Sequence, residues 1–138
     1  MTENLPIIYF PPTLIKEIEE TNNWLLMQKF CALPEEYQKF LLNTNGLTCN
    51  GLDLYGSCAH YRETKNYKFP SIQDINKNFI NYRFFKDKVI IGNWNESLIY
   101  YDKRGNYYAL ADRINLRSRY EADSFEKILN YLMEAIKS

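Results

Sequence analysis

The stretch that decides the fold is residues 33–46, Leu-Pro-Glu-Glu-Tyr-Gln-Lys-Phe-Leu-Leu-Asn-Thr-Asn-Gly. Pro34 suits the first helical position, because its fixed φ is helical and the N–H that it lacks would have no partner there. Glu35 and Glu36 follow at the positive end of the helix dipole. The pair Asn45–Gly46 offers the left-handed residue that commonly stops a helix. The stretch therefore predicts a short helix with both of its ends marked.

The clearest second element is the C-terminal segment, where Asp123 with Glu126 resembles the start of a capped helix. Large apolar residues then recur at helical spacing. They are Phe125, Ile128, Leu129, Leu132, Met133 and Ile136. We expect this stripe to pack against a sheet, because six large apolar side chains are unfavourable in water.

Strands are predicted between these two helices. Residues 89–91, 98–101 and 107–111 are apolar runs separated by polar turns, which indicates an antiparallel meander. Gly51 to Gly56 alternates like a further short strand, and residues 57–70 read as an exposed loop. The fold class is α+β, with an antiparallel meander sheet and helices packed on one side of it.

Two more helices are predicted in the first half of the chain. Thr13 is placed to cap a helix that runs to about Asn22, and Ser71 to cap one that runs from Ile72 to about Asn78. In the first of these, Leu14, Ile15 and Ile18 are assigned to the apolar side. Its polar side carries Lys16, Glu17, Glu19 and Glu20. Residues 24–30 fit either a continuation of that helix or a strand.

Length and composition bound the class of protein. The 138 residues fit one domain, 1–138, and 17 basic residues balance 17 acidic ones. A net charge of zero does not favour nucleic acid as a partner, although residues 60–88 hold seven basic residues against three acidic ones. Three cysteines without a framework spacing, and no signal peptide or apolar run of membrane-spanning length, predict a cytoplasmic protein.

The usual enzyme signatures are absent from the sequence, so we expect no catalytic residues and no cofactor. Cys49, Cys58 and His60 have the wrong spacing for common zinc modules, and we expect no metal. A nucleophilic pair of Cys58 and His60 would need a proximity that sequence does not show. Asp53, Asp102 and Asp112 are candidate acids, but each stands where a turn or a strand end favours a carboxylate.

Two basic segments are candidate phosphate-binding surfaces, and each has a simpler structural interpretation. If residues 113–120 are extended, Arg113, Arg117 and Arg119 share one face, although a solvated face paired with nearby acids is the simpler interpretation. Residues 82–86, Tyr-Arg-Phe-Phe-Lys, mix basic and stacking side chains, with the two phenylalanines more simply explained as core.

Trp94 lies in the polar segment Asn93-Trp94-Asn95-Glu96 between two predicted strands. An exposed tryptophan in such a turn is typical of a partner-binding anchor. The alternative, held equal to it, is a tryptophan folded back to cover a sheet edge.

Residues 33–46 also resemble the start of the SUKH superfamily domain, the Smi/Knr-like fold, which typically shows Leu-Pro, an acidic pair, an aromatic residue, Phe-Leu and Asn-Gly. Further matches are Ile90-Ile91-Gly92, Leu98 to Asp102, Asp112 and Ser124-Phe125. The resemblance covers most of residues 33–136. The chain departs from the family pattern at residues 93–96 and in the longer segment 113–121.

The resemblance implies a bacterial immunity protein, which binds and neutralises the toxin domain of a polymorphic or contact-dependent system, often a nuclease. The partner would be that cognate toxin, not a nucleic acid or a membrane, and the protein would be a monomer or weak dimer. Candidate partner-binding residues are Trp94, Asn95, Glu96, Glu17, Glu20, Glu35 and Glu36. The alternative is a regulatory scaffold or small-ligand binding module, since other members of the superfamily are linked to signalling.

Overall fold

The computed structural model describes residues 7–62 and 67–137, apart from the side chains at 61, 62 and 67. Within these residues the chain forms four α-helices and nine β-strands. The helices are α1 (Ile15–Met27), α2 (Glu35–Asn43), α3 (Ile72–Asn76) and α4 (Phe125–Ile136). The strands are β1 (Ile8–Tyr9), β2 (Leu47–Cys49), β3 (Leu52–Leu54), β4 (His60–Arg62), β5 (Tyr67–Phe69), β6 (Lys88–Trp94), β7 (Ser97–Asp102), β8 (Tyr107–Asp112) and β9 (Ser118–Ala122).

Seven of the strands form one open sheet in the order β1-β2-β3-β6-β7-β8-β9, and every neighbouring pair is antiparallel. This confirms the predicted α+β class and the meander of β6, β7 and β8. At Gly92 an added Cβ would lie 2.5 Å from the Asp53 carbonyl oxygen, so β3 and β6 approach this closely only because glycine stands there.

Helices α2 and α4 cover one face of this sheet. Tyr101 of β7 and Tyr108 of β8 are paired, so their side chains lie on the same face of the sheet. Side chains alternate along a strand, so the side chain of Tyr100 lies on the opposite face. Phe125 of α4 packs against Tyr108 at 5.9 Å and against Tyr37 of α2 at 5.2 Å between ring centroids. The predicted helical cover of one face holds for these two helices.

The opposite face and the edge of β6 are covered differently. Two 3₁₀ turns, Lys77–Phe79 and Arg83–Phe85, connect α3 to β6, and Phe85 packs edge-on against Tyr100. The side chain of Asn76, at the end of α3, donates to the Ile90 carbonyl and accepts from the Ile90 N–H. It thus satisfies backbone groups of β6 where no strand pairs with them, and α1 packs in turn on α3.

Helix α2 begins one residue later and ends earlier than the sequence predicts. Pro34 has extended ψ and occupies the N-cap position, not the first helical position. Thr44, the C-cap, is also extended, and its hydroxyl donates to the Phe10 carbonyl. Gly46 does take a positive φ, of 107°, but it serves the connection into β2 and does not stop the helix.

Helix α1 differs most from its prediction. It continues to Met27, so most of residues 24–30 is a helical continuation, and its N-cap is Leu14 with no side-chain cap. Thr13 instead donates to Glu17 at 3.0 Å and hydrogen-bonds Ser57 at 2.6 Å. Ile18 is buried as expected, whereas Leu14 and Ile15 are exposed, so their assignment to the apolar side was wrong.

The helices with local capping signals were predicted better. Ser71 and Asp74 form a capping box at the start of α3. The α4 stripe faces the core as expected, but its cap is Ser124, whose hydroxyl accepts from the Lys127 N–H. Asp123 was the wrong choice of cap, since its carboxylate pairs with Lys127 Nζ at 2.8 Å.

One loop prediction is wrong, and the extended conformation considered for residues 113–120 is present only in part. Residues 57–70 were read as a loop, but they contain the two-stranded antiparallel sheet of β4 and β5; residues 63–66 lie outside the described part of the chain. Residues 113–120 are not extended throughout, because a turn follows Asp112 and Leu116 has φ of 61°. Its arginines therefore do not form one regular strand face.

Candidate protein-binding surfaces

The turn between β6 and β7 holds three of the predicted partner-binding residues. Trp94 ends β6 and is half-buried, packing partly against the core, as the interpretation of a folded-back tryptophan expects. Asn95 has φ of 53° and its N–H donates to the Gly51 carbonyl. Glu96 is exposed, while its backbone oxygen accepts from the Arg113 N–H. The turn is held rigidly by its backbone and presents one acidic side chain.

The acidic pair of α2 lies elsewhere on the molecule. Glu36 Oε1 accepts from the Tyr108 hydroxyl and from the Phe125 N–H, both at 3.2 Å. Tyr108 lies opposite Tyr101 of β7, whereas Trp94 lies opposite Ser97 of the same strand. Ser97 and Tyr101 are four residues apart, which corresponds to about 13 Å along the strand. Glu36 therefore links α2 to α4, and the exposed Glu35 pairs with Lys39 at 3.6 Å.

The acidic residues of α1 form a third location. Glu17 is half-buried and accepts the Thr13 hydroxyl, whereas Glu19 and Glu20 are exposed and form no ion pair with any described residue. The structure thus brings Trp94, Asn95 and Glu96 together but separates them from α1 and from the start of α2. No single surface contains all seven predicted residues.

The outward side of α1, which we call the α1 outer face, was missed by sequence reasoning. The side chains of Leu14, Ile15, Leu26 and Met27 are 67%, 64%, 52% and 75% exposed, and they flank Glu19 and Glu20. The buried stripe of the helix is Ile18, Thr21 and Leu25. The signal in the sequence was an excess of apolar residues, which occur both on and off that stripe between positions 14 and 27.

A polar cluster joins the loop before β2 to the loop after β3. Asn45 is buried; its Oδ1 accepts from the Ser57 N–H at 2.8 Å and its Nδ2 lies 3.2 Å from Cys58 Sγ. The His60 ring bonds to the Asn45 carbonyl at 3.1 Å and stacks on Phe10. Burial, and secondarily the Glu17 charge, raises the pKa of Cys58, which disfavours the thiolate that nucleophilic chemistry requires. The cluster satisfies the buried backbone of the two loops.

The three candidate acids do not converge. Asp102 lies at the end of β7 and pairs with Lys88 at 3.7 Å. Asp112 is paired with Ser97 at the other end of β7, and hydrogen bonds from the Asn115 and Ile114 N–H groups lower its pKa. Asp53 lies on β3, where burial raises its pKa and the Thr48 hydroxyl bond opposes that shift. Each carboxylate thus has a local structural partner.

Two further groupings weighed from sequence are also dispersed. Arg113 donates to Asn93 and Arg119 pairs with Asp112, so two of the three arginines of the proposed phosphate-binding face are engaged at the protein surface. Among the described residues, no group of three or more His, Cys, Asp or Glu side chains is arranged to hold a metal ion. Phe85 is buried and Phe84 half-buried, as core residues.

No protein-family model and no curated protein matches this chain. In the described parts of the chain, no helix combines the length and the apolar character that crossing a bilayer requires. A proposal for function therefore rests on the exposed surfaces together with the sequence resemblance of residues 33–46.

Proposed function

We propose that this chain is a non-enzymatic binding domain, a cytoplasmic immunity protein of the SUKH kind that binds and neutralises a toxin domain of the nuclease class. The observation that carries the proposal is the α1 outer face. Two exposed apolar pairs, Leu14 with Ile15 and Leu26 with Met27, stand at the two ends of α1, about 17 Å apart at helical rise. Between them lie Lys16, Glu19 and Glu20, and neither carboxylate forms an ion pair with a described residue. Exposed apolar groups in such a group mark interaction sites on soluble proteins.

The charge of this face selects the kind of partner. A nuclease collects basic residues to hold phosphate, so an acidic surface steers association with it and opposes its substrate-binding groups. Glu19 and Glu20 supply that charge and exceed the single Lys16 beside them. Leu14, Ile15, Leu26 and Met27 supply apolar area that becomes buried on binding. The turn at Trp94, Asn95 and Glu96 joins β6 to β7 and is a separate candidate contact with one acidic side chain.

The test is co-expression of this chain with the toxin domain encoded beside it, scored by growth rescue and then by co-elution of the purified pair. Wild type is expected to rescue growth and to form a stable complex. The variant Glu19→Lys with Glu20→Lys is expected to lose rescue and to bind at least about tenfold more weakly, because two steering charges now repel a basic partner.

The matched control carries Glu121→Lys with Glu126→Lys, which makes the same charge change at exposed residues of β9 and α4. It is expected to rescue growth as wild type does. A third arm, Trp94→Ala, reports on the β6–β7 turn. The proposal is rejected if folded wild type neither rescues nor co-elutes, and the assignment to α1 is rejected if its charge-reversed variant binds as tightly as wild type.

A further inference from the structure

A second surface lies beyond the C-terminal end of α1 and carries the opposite charge. Between the end of α1 and the second 3₁₀ turn runs a groove of about 240 Å³. Its lining consists of Gln28, Lys29, Phe30, Ile80, Asn81, Tyr82, Arg83 and Lys86. We call it the basic groove. It joins residues 28–30 to residues 80–86, which are far apart in sequence.

The charges of the basic groove are unbalanced. Lys29, Arg83 and Lys86 are exposed and form no ion pair with a described residue, and no acidic residue lines the groove. A second hollow of about 330 Å³ shares Gln28 and Ile80 with it and adds Lys77. The one acid there, Asp74, pairs with Lys68 at 3.8 Å. The groove and its extension thus present four cations without a carboxylate of their own.

Apolar surface lies between these cations. Ile80 and Tyr82 are both large and substantially exposed, and Tyr82 packs edge-on against Phe79. Phe30 is buried at the base, and Trp24 of α1 packs on it and lines the adjoining hollow. An occupant would gain contact with these groups only if it also carried apolar side chains.

The backbone at Lys29 is unusual for a lysine. The Phe30 N–H bonds to the Leu25 carbonyl and the Lys29 N–H to the Leu26 carbonyl, which is the Schellman arrangement at a helix C-terminus. Lys29 sits at the left-handed position of this motif, with φ of 74°, where glycine is normally favoured. Non-glycine residues in this conformation occur more often at functional sites, and Lys29 lines the groove directly after the end of α1.

We propose that the basic groove binds an acidic, apolar-containing peptide segment of a partner protein. The groove and its extension, of about 240 and 330 Å³, together offer an elongated surface that accommodates side chains of an extended segment. The cations of the groove would pair with carboxylates of such a segment, and the apolar side chains between those cations would contact apolar side chains of the segment. A nucleic acid is disfavoured because the chain has no net positive charge, and of the exposed large residues here only Tyr82 is aromatic. This surface is distinct from the α1 outer face.

The test is fluorescence anisotropy with a labelled twelve-residue peptide that alternates Asp or Glu with Leu or Phe. Its competitors are a peptide with Lys in place of each acid and an oligothymidylate of equal negative charge. The acidic peptide is expected to bind in a salt-dependent way, and amide shifts in NMR spectra are expected at residues 28–30 and 77–86. The oligothymidylate and the lysine peptide are expected not to displace it at equal concentration.

The variant is Lys29→Gln, Arg83→Gln and Lys86→Gln, and the matched control is Lys16→Gln, Lys103→Gln and Arg117→Gln, which removes three other unpaired cations. Affinity is expected to fall about tenfold in the first and less than about twofold in the second. Absence of binding at millimolar peptide, an equal loss in the control, displacement by oligothymidylate, or peptide-free dimers that the groove variant abolishes would each overturn the proposal. The last two outcomes would identify the occupant as nucleic acid or as a second copy of this chain.

Discussion

Helices α1 and α4 are nearly equal in length, at 13 and 12 residues, yet they use their apolar side chains in opposite ways. In α4 the apolar residues form one stripe, and Phe125, Ile128, Leu132 and Ile136 are buried against the sheet. In α1 a narrow buried stripe is accompanied by Leu14, Ile15, Leu26 and Met27 in solvent. The apolar side chains of α4 thus serve the core, whereas α1 divides its apolar side chains between the core and the exposed surface.

The ends of the two helices differ in the same sense. Ser124 caps α4 through its hydroxyl, whereas α1 starts at Leu14, which offers no hydrogen bond, and is followed by a left-handed Lys29. Leu14 stabilises a helix N-terminus less than Ser, Thr, Asp or Asn would, and Lys29 suits the left-handed position less well than glycine would. Helix α1 thus gives up stability where it presents groups to solvent.

The largest expected effect comes from replacing one leucine of each helix by alanine. Leu132→Ala removes a side chain that is 1% exposed and is expected to lower the free energy of unfolding by about 2–5 kcal/mol, from lost burial and a cavity. Leu26→Ala, at an exposed position, is expected to change it by less than about 0.5 kcal/mol. Urea unfolding of both variants measures the two values. Similar losses would show that the Leu26 side chain is buried in the folded protein and not exposed.

Alkaline pH tests the packing on the α4 side. Burial raises the pKa of the Cys31 thiol to about 12. Burial, and secondarily the charge of Glu36, also raises the pKa of the nearby Tyr108, and a Cys31 thiolate would repel a Tyr108 phenolate. Because the folded state holds this proton more tightly, its stabilisation is complete below the unfolded thiol pKa of about 8.5 and is lost as pH rises towards 12. The expected slope is about 1.4 kcal/mol per pH unit for one thiol.

Urea unfolding at several values between about pH 8.5 and pH 10 measures the thiol contribution with little from tyrosine, since an unfolded tyrosine ionises only near pH 10. Burial also raises the pKa of Cys49 and of Cys58, so these two thiols add to the slope of the wild type. Cys31→Ala is expected to flatten the pH dependence of stability, apart from any constant loss from the smaller side chain. Cys58→Ala, at a partly exposed thiol in the polar cluster, is the control and should flatten it less. An unchanged slope in Cys31→Ala would contradict the assignment.

Local chemistry explains which elements the sequence predicts. Ser71 and Asp74 are three residues apart, the α4 stripe repeats every three or four, and β6 to β8 follow one another along the chain. Such patterns need no knowledge of distant contacts. The course of α1 depends on what packs against it, and so Leu14 and Ile15 were wrongly assigned to its buried face, whereas Ile18 was assigned correctly.

The candidate sites were less predictable for the same physical reason. That Trp94 lies at a turn between strands follows from local pattern, but its half-burial depends on the core. Glu36 reads as a surface residue, yet it bonds to a tyrosine 72 residues away. The basic groove joins segments about fifty residues apart, whose proximity no periodicity indicates. Long-range packing, not local propensity, decides these features.

The smallest expected effects come from substituting the N-cap residue of each helix. Ser124→Ala removes the hydroxyl that accepts from Lys127 and is expected to cost about 1 kcal/mol. Leu14→Ser places a hydroxyl at a position whose φ of −100° and ψ of 149° already suit a cap, so we expect a gain of about 0.5–1 kcal/mol. Thermal and urea unfolding measure both changes. Because Leu14 belongs to the α1 outer face, the same substitution is expected to weaken toxin binding while it stabilises the fold. A variant that gained stability and kept full affinity would show that the exposed leucine has no role in binding.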